Sequence, residues 1–150
     1  GWYKNSVLDF EMVTYKRRRF KINGKLEKWV NCKGTSPNQI SFSRIHDEAK
    51  PIIILEGMRD ALAGILLGLN FIAIATTSFR NFEDMNQSIK PTDEVILLCE
   101  DQQGYKAMKQ IKDNLITKNA KLVSLSTSKD VKIDLSDYVM SCKSRIEVIL

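Results

Sequence analysis

From residue 51 onward, short and continuously apolar segments alternate with segments of helical periodicity. The apolar segments are PIIIL (51–55), FIAIA (71–75), EVILLC (94–99) and KLVSL (121–125). In the helix-like segments MRDALAGILLGL and GYKAMKQIKDNLITK, the residues that share one face are Leu62, Ile65, Leu66 and Leu69 in the first, and Met108, Ile111 and Leu115 in the second. Apolar strands without polar alternation are typical of a parallel sheet with helices on both faces. The pattern therefore predicts an α/β lobe over residues 51–150.

The first 50 residues have a different pattern. Asn-Gly at 23–24 is a hairpin signal between strand-like segments. Residues 1–50 contain eleven Lys and Arg against five Asp and Glu, whereas residues 51–150 contain twelve against thirteen. We therefore expect a small basic β-rich subdomain over residues 1–50. Its charge favours a polyanion partner, nucleic acid first, although a well-solvated surface is an equally good explanation of charge alone.

Composition excludes several classes of protein. The three cysteines form no CxxC pair, which argues against a disulfide scaffold or a zinc knuckle and favours a reducing cytoplasm. No apolar run is long enough for a membrane span, so no membrane partner is expected. The single histidine, His46, means that a metal site would consist mainly of carboxylates. Such a site suits Mg²⁺ or Mn²⁺ better than zinc.

Carboxylates follow two of the apolar segments. Glu56 comes directly after PIIIL and precedes Gly57, and Asp60 lies one helical turn further on. Glu100 and Asp101 follow EVILLC. Ligands of an open parallel sheet bind at the carboxyl ends of its strands, so Glu56 and Asp101 are predicted to meet at one crevice. Crowded carboxylates favour a bound cation, but each residue taken singly could be a solvated strand end or a helix N-cap.

Four motifs, in the same order along the chain as in the family, resemble the Toprim domain of bacterial-type primases and the basic subdomain that precedes it. LEGMRDAL resembles its Glu-Gly-x-x-Asp-Ala motif, and CEDQQGYKAM resembles its Asp-x-Asp-x-x-Gly-x-x-Ala motif. DLSDYV at 134–139 resembles an Asp-x-Asn-Asp-Tyr-Leu element near the end of primase-type domains. KWVNCKGT at 28–35 resembles an element of the basic subdomain that precedes Toprim in primases. The resemblance covers about residues 15–140 and implies a Toprim lobe behind the basic subdomain.

The resemblance also implies roles for individual residues. Glu56 matches the catalytic glutamate or metal ligand, Asp101 matches the second metal-binding Asp, and Asp60 matches the Asp of the first motif. Lys28 and Asn31 match residues of the nucleic-acid or nucleotide groove, and the adjacent Lys33 is assigned to the same surface. The implied reaction is Mg²⁺- or Mn²⁺-dependent synthesis of RNA primers in replication of a phage, plasmid or mobile element. The implied partners are single-stranded DNA, nucleotides and a replicative helicase.

The chain departs from the family pattern at Cys99, which stands where the first Asp of the metal motif is expected. A thiol is a poor ligand for Mg²⁺. Glu100 is a candidate replacement, provided that the strand ends early enough for its side chain to turn toward the site. The site could thus be rebuilt with Glu56, Asp101 and Glu100, or weakened, or lost. A non-catalytic Toprim module that binds DNA and a Toprim nuclease are the alternative functions.

Two further segments carry charge that bears on function. In YKRRRFK, Lys16, Arg17, Arg18 and Arg19 are consecutive and flanked by aromatic residues, as expected for contact with a phosphate backbone and bases. A charge-protected edge strand is the alternative. In DLSDYV, Asp134 and Asp137 either cap a short helix or face the metal crevice. The sequence contains no recognisable zinc-binding or helicase-binding module of the kind that family primases carry, and we expect it to be a fragment of a longer polypeptide.

Overall fold

The computed structural model describes residues 38–125 and 133–141 together with their side chains, and the backbone of four earlier strands. The chain divides into two compact units, residues 1–37 and residues 38–150. The break precedes the first strand of the main sheet, whereas the sequence placed the boundary after residue 50. We describe each unit by itself.

The first unit contains two antiparallel strand pairs. Strands β1 (Trp2–Asn5) and β2 (Phe10–Thr14) form one pair, and β3 (Lys16–Phe20) and β4 (Leu26–Asn31) form the other. The register of the second pair places Arg18 opposite Trp29. The predicted turn at residues 23–25 and Lys33 lie outside the described residues.

The second unit is an α/β lobe around a five-stranded sheet, so the predicted architecture is confirmed at this level. Its strands are β5 (Ile40–Arg44), β6 (Ile52–Glu56), β7 (Asn70–Ile74), β8 (Val95–Cys99) and β9 (Ala120–Ser124). Its helices are α1 (Met58–Leu66), α2 (Phe82–Gln87) and α3 (Gln102–Asp113), and residues 135–141 are also helical. Among the described residues, no helix has both the length and the apolar character that a membrane crossing requires.

The strand order is β5-β7-β6-β8-β9, and only the edge strand β5 runs antiparallel. From β6 the chain passes through α1 to β7 on one side, then through α2 to β8 on the other side of β6. The direction of winding therefore reverses between β6 and β8. At such a switch point the loops that follow the two strands diverge and leave a crevice.

The core lies on both faces of the sheet. On one face, Ile54 of β6 and Cys99 of β8 pack with Met108 and Ile111 of α3. On the other face, Leu55 and Leu98 pack with Ala61 of α1. Adjacent strand residues therefore point to opposite faces, which is why the strands are apolar throughout.

Helix α1 buries a different face from the one that its apolar pattern suggested. Its buried residues are Asp60, Ala61, Ala63 and Gly64, whereas Leu62 and Leu66 are 53% and 78% exposed. A β-carbon built on Gly64 would lie 2.9 Å from Cδ1 of Phe71. Small residues on this face let the helix approach the sheet closely, and the approach brings the Asp60 carboxyl into the interior. By contrast, α3 buries Met108 and Ile111 as predicted.

Candidate functional site at the carboxyl edge of the sheet

Glu56 is the last residue of β6, at the carboxyl edge of the sheet beside the switch point. The next residue, Gly57, has φ 84° and ψ 173°, a conformation that side-chain-bearing residues rarely adopt. Its N–H donates a 2.9 Å hydrogen bond to the carbonyl of Ile74 at the end of β7. Glycine thus lets the chain leave the strand and enter α1 within one residue, and Glu56 remains at the rim.

Asp101 occupies the corresponding position after β8 and is the N-cap of α3. Its Oδ1 accepts a 2.7 Å hydrogen bond from the N–H of Gly104. A β-carbon on Gly104 would lie 3.4 Å from Asp101 Oδ1 and 3.9 Å from Glu56 Oε2. The two carboxylates from different strands therefore approach the same point on α3. We call Glu56, Asp101 and Gly104 the crevice.

A hydrogen bond joins the first turn of α3, beside the crevice, to the loop that follows β7. Gln103 Nε2 donates to Thr77 Oγ1 at 3.2 Å. The hydroxyls of Thr76 and Ser78, on either side of Thr77, are 2.7 Å apart and share a hydrogen bond. The rim beside the crevice is thus polar.

A second cluster of carboxylates lies on the sheet face that α1 covers. One oxygen each of Asp60, Glu100 and Asp134 lies within 4.8 Å of the other two, a spacing that could hold a metal ion. Asp60 is 2% exposed and Glu100 is 6% exposed. We call these three residues the acidic triad. Because β8 ends at Cys99, Glu100 lies in the turn before α3 and its side chain can reach α1.

Residues 134–137 are fastened to α1 through polar contacts. The Ser136 N–H donates a 3.0 Å hydrogen bond to Asp60 Oδ1. The Arg59 guanidinium contacts Asp134 at 3.1 Å and Asp137 at 3.4 Å. Asp134 Oδ1 also accepts a hydrogen bond from the Asp137 N–H, as a helix cap does. Asp134 therefore caps the helical residues 135–141, which is one of the two roles that the sequence left open, and it also lies in the acidic triad. Asp137 contacts Arg59 from an exposed position.

The acidic triad is electrostatically strained. Burial raises the pKa of Asp60 to about 7; the Ser136 N–H opposes this rise, and the adjacent Glu100 carboxylate adds to it. Burial also opposes ionisation of Asp134, but hydrogen bonds from Ser136 and Asp137 together with Arg59 outweigh it and lower its pKa. In addition, a hydrogen bond between the Asp60 and Glu100 side chains contributes to the raised pKa of Asp60.

Cys99 faces away from the acidic triad. Its side chain is 3% exposed within the apolar core beneath α3, and its thiol lies 3.8 Å from the Leu97 carbonyl. Burial raises the pKa of this thiol to about 11, partly offset by a backbone hydrogen bond at Val123. The thiol is thus a packing group, and the adjacent Glu100 is the residue of this segment that joins other carboxylates.

The structure divides the predicted site residues between two groups. Glu56 and Asp101 meet at the crevice, whereas Glu100 and Asp60 meet in the acidic triad. Of the three predicted metal ligands, Glu100 belongs to the described cluster that could hold an ion. The contribution of Asp134 could be found in the sequence only through the motif DLSDYV. Lys16, Arg17, Arg18, Arg19, Lys28 and Asn31 lie on β3 and β4, of which only the backbone is described.

A surface groove of about 320 Å³ lies at the opposite edge of the sheet. It is lined by residues that precede β6 and β8, among them Lys50, Lys90 and Glu94. Lys90 pairs with Glu48 and Lys121 pairs with Glu94 on this side. The carboxylates of this groove are not among the described groups that lie close enough together to hold an ion, so the groove is a weaker candidate for chemistry than the carboxyl edge.

No protein-family model, curated protein or solved structure matches this chain.

Proposed function

We propose that this chain is a Toprim-type catalytic core of primase character, which joins ribonucleotides on a single-stranded DNA template. The observation that carries the proposal is the convergence of Glu56 and Asp101 on Gly104 at the switch point of a parallel sheet. The order of the four sequence motifs supports the primase assignment over other Toprim functions. DLSDY and KWVNC argue against a nuclease.

The donor set of the crevice fits Mg²⁺ or Mn²⁺. Both side chains offer carboxylate oxygens, which hard cations prefer, and Mg²⁺ commonly uses one or two carboxylates together with substrate phosphates. Gly104 keeps open the space that a β-carbon would fill between them. When bound, the cation would offset phosphate charge and activate the attacking hydroxyl.

Each crevice residue then has a defined task. Glu56, held at the strand end by the turn at Gly57, is assigned as the catalytic carboxylate that binds the metal or accepts the proton of the attacking hydroxyl. The Gly104 N–H holds Asp101 Oδ1 and so orients that carboxylate as a metal ligand. Asp60 supports the site from the α1 side, where it binds the Ser136 backbone. The basic segment around Arg17, Arg18 and Arg19 would contact the template.

Two observations favour a second function, that of a module that binds DNA without catalysis. Cys99 occupies the family position of the first metal-binding Asp and is packed in the core, so it offers no ligand there. Asp101 also serves as a helix cap, which by itself would explain its presence. On this alternative the crevice carries no chemistry, and only the basic unit meets the nucleic acid.

Primer synthesis by the parent chain and by Glu56→Gln tests the proposal. The assay contains labelled ribonucleotides, single-stranded DNA, and Mg²⁺ or Mn²⁺. We expect Glu56→Gln to lose synthesis at least about a thousandfold, while its melting temperature stays the same or rises slightly because one crowded carboxylate is gone. Glu94→Gln is the matched control, since Glu94 pairs with Lys121 at the opposite edge.

The outcomes separate the three functions. Synthesis by the parent that Glu56→Gln abolishes supports the proposal. Template binding without synthesis in either metal favours the DNA-binding module, and cleavage of the template favours a nuclease. An equally active Glu56→Gln protein would remove Glu56 from the chemistry.

A further inference from the structure

The loop between β7 and α2, residues 75–81, follows β7 at the carboxyl edge of the sheet. Its Phe79 side chain is fully buried in the core beneath α3. Asn38 Oδ1 accepts hydrogen bonds from two N–H groups of the loop, that of Arg80 at 2.5 Å and that of Asn81 at 3.0 Å. The loop is thus anchored in the core and to a neighbouring segment. Its exposed side chains are therefore held in one arrangement, which lowers the entropy cost of binding a ligand.

The Arg80 guanidinium is fixed by neutral groups of its own loop. Its Nη1 donates hydrogen bonds to the Thr77 carbonyl at 3.3 Å and to the Phe79 carbonyl at 2.6 Å. Among the residues whose side chains are described, no carboxylate lies within ion-pair distance of Arg80, whereas Arg59 has two such partners. The positive charge of Arg80 is therefore not offset by these residues, and the rest of its planar fork can contact an anion.

Two successive hydrogen bonds connect Arg80 with the crevice. Thr77 accepts the Arg80 guanidinium through its carbonyl and accepts Gln103 Nε2 through its hydroxyl at 3.2 Å. Gln103 directly precedes Gly104, where the crevice carboxylates converge. In addition, β7 pairs with β6, the strand that ends at Glu56. A fixed positive charge therefore lies beside the carboxylates of the crevice, on the side of the loop that follows β7.

We propose that Arg80 binds the phosphate groups of a nucleoside triphosphate whose reacting end lies at the crevice. A guanidinium fork matches the oxygens of a phosphate group and offsets its charge, which the crevice carboxylates alone would repel. The choice of a nucleotide rests on the proposed function. The template backbone is the other source of phosphate, but a strand is generally bound through several basic residues. Arg80 is the only basic residue in the loop, which favours the nucleotide.

The test measures binding of ATP with Mg²⁺ to the full chain by calorimetry. We expect Arg80→Gln to weaken ATP binding at least about tenfold, since it removes a charge-assisted contact with phosphate. Arg80→Lys should recover part of this loss, because it keeps the charge without the planar fork. Binding of single-stranded DNA and the melting temperature without ligand should stay as in the parent. A purely structural role of Arg80 would instead lower the melting temperature and weaken both ligands together.

Arg44→Gln is the matched control, because Arg44 is exposed and pairs with Phe71 at the opposite edge of the sheet. It removes the same charge and should leave ATP binding unchanged. ATP binding that depends on Arg80 supports the inference whether or not the chain synthesises primers, so failure of the proposed function remains distinguishable. Equal ATP affinity in the parent and Arg80→Gln, or no ATP binding by the parent, would overturn it. So would a loss confined to DNA binding, which would assign Arg80 to the template.

Discussion

Gly64 of α1 lies directly against the ring of Phe71 on β7: a β-carbon at Gly64 would stand 2.9 Å from Cδ1 of that ring. Phe71 is fully buried and cannot move without disturbing the core. This contact sets how closely α1 approaches the sheet, and with it the depth at which Asp60 is buried.

The first prediction follows from this contact. Gly64→Ala should lower the free energy of unfolding by about 1–2 kcal/mol, because overpacking costs more than the roughly 1 kcal/mol gained in helix propensity. Urea denaturation measures the change. Gly104→Ala is the matched control, since its new β-carbon would stand at least 3.4 Å from its neighbours. A Gly64→Ala protein that is more stable than the parent would contradict this close packing.

Asn70 provides a second prediction about the lobe. Its buried side chain accepts hydrogen bonds from the N–H groups of His46 and Asp47 and donates to the carbonyl of Lys50. Asn70→Ala would leave several of these backbone groups without partners, so we expect a loss of about 2–4 kcal/mol in urea denaturation. The exposed Asn119→Ala serves as the control and should change stability by less than about 0.5 kcal/mol.

The third prediction concerns pH in metal-free protein. The pKa of Asp60 is about 7 in the folded chain against an ordinary 3.8, so the folded state holds this proton more tightly. The contribution of Asp60 to stability is therefore fully present below about pH 4 and is lost as pH rises to 7. Asp60→Asn should remove a decline of about 4 kcal/mol across this window, at about 1.4 kcal/mol per pH unit, because the amide keeps the acceptor for Ser136 and carries no charge.

Urea denaturation at pH 4, 5.5, 7 and 8 in the presence of a chelator measures the slope. Asp113→Asn, an exposed change on α3, should leave the slope of the parent unchanged. A parallel set of curves for the parent and Asp60→Asn would show that Asp60 ionises normally.

The fourth prediction concerns Cys99. With a pKa of about 11 and a side chain that is 3% exposed, this thiol should react with iodoacetamide at pH 8 at least about a hundredfold more slowly than in urea. The measurement requires a Cys32→Ser, Cys142→Ser background, which leaves one thiol to follow by mass spectrometry. Reaction at the same rate in the folded and unfolded chain would contradict the burial of Cys99.

The fifth prediction concerns the basic unit. Replacing Arg17, Arg18 and Arg19 by Gln should weaken binding to single-stranded DNA and reduce the salt slope by roughly two units, at about 0.7 per phosphate contact. Lys106, Lys109 and Lys112 lie on α3, and their replacement by Gln removes the same charge from the other unit. If the α3 variant loses the slope and the arginine variant retains it, the nucleic acid binds the α/β lobe.

Local sequence determined the alternation of strands and helices, the burial of both sheet faces and the placement of acidic residues after β6 and β8. These features depend on the hydrophobic period and on residues within one turn of a strand end, so they can be predicted from the sequence alone. The sequence does not predict the antiparallel edge strand β5 or the short helix α2, since neither has a strong period of its own.

Tertiary structure alone decided which faces and partners these residues have. The exposed leucines of α1 match an amphipathic pattern, but the close contact of Gly64 with Phe71 turned the opposite face, with Asp60, toward the sheet. Cys99 and Glu100 are adjacent in sequence, yet one enters the apolar core and the other a group of carboxylates. Asp134 reaches Asp60 only because the folded chain returns to α1, a long-range contact that no local pattern encodes.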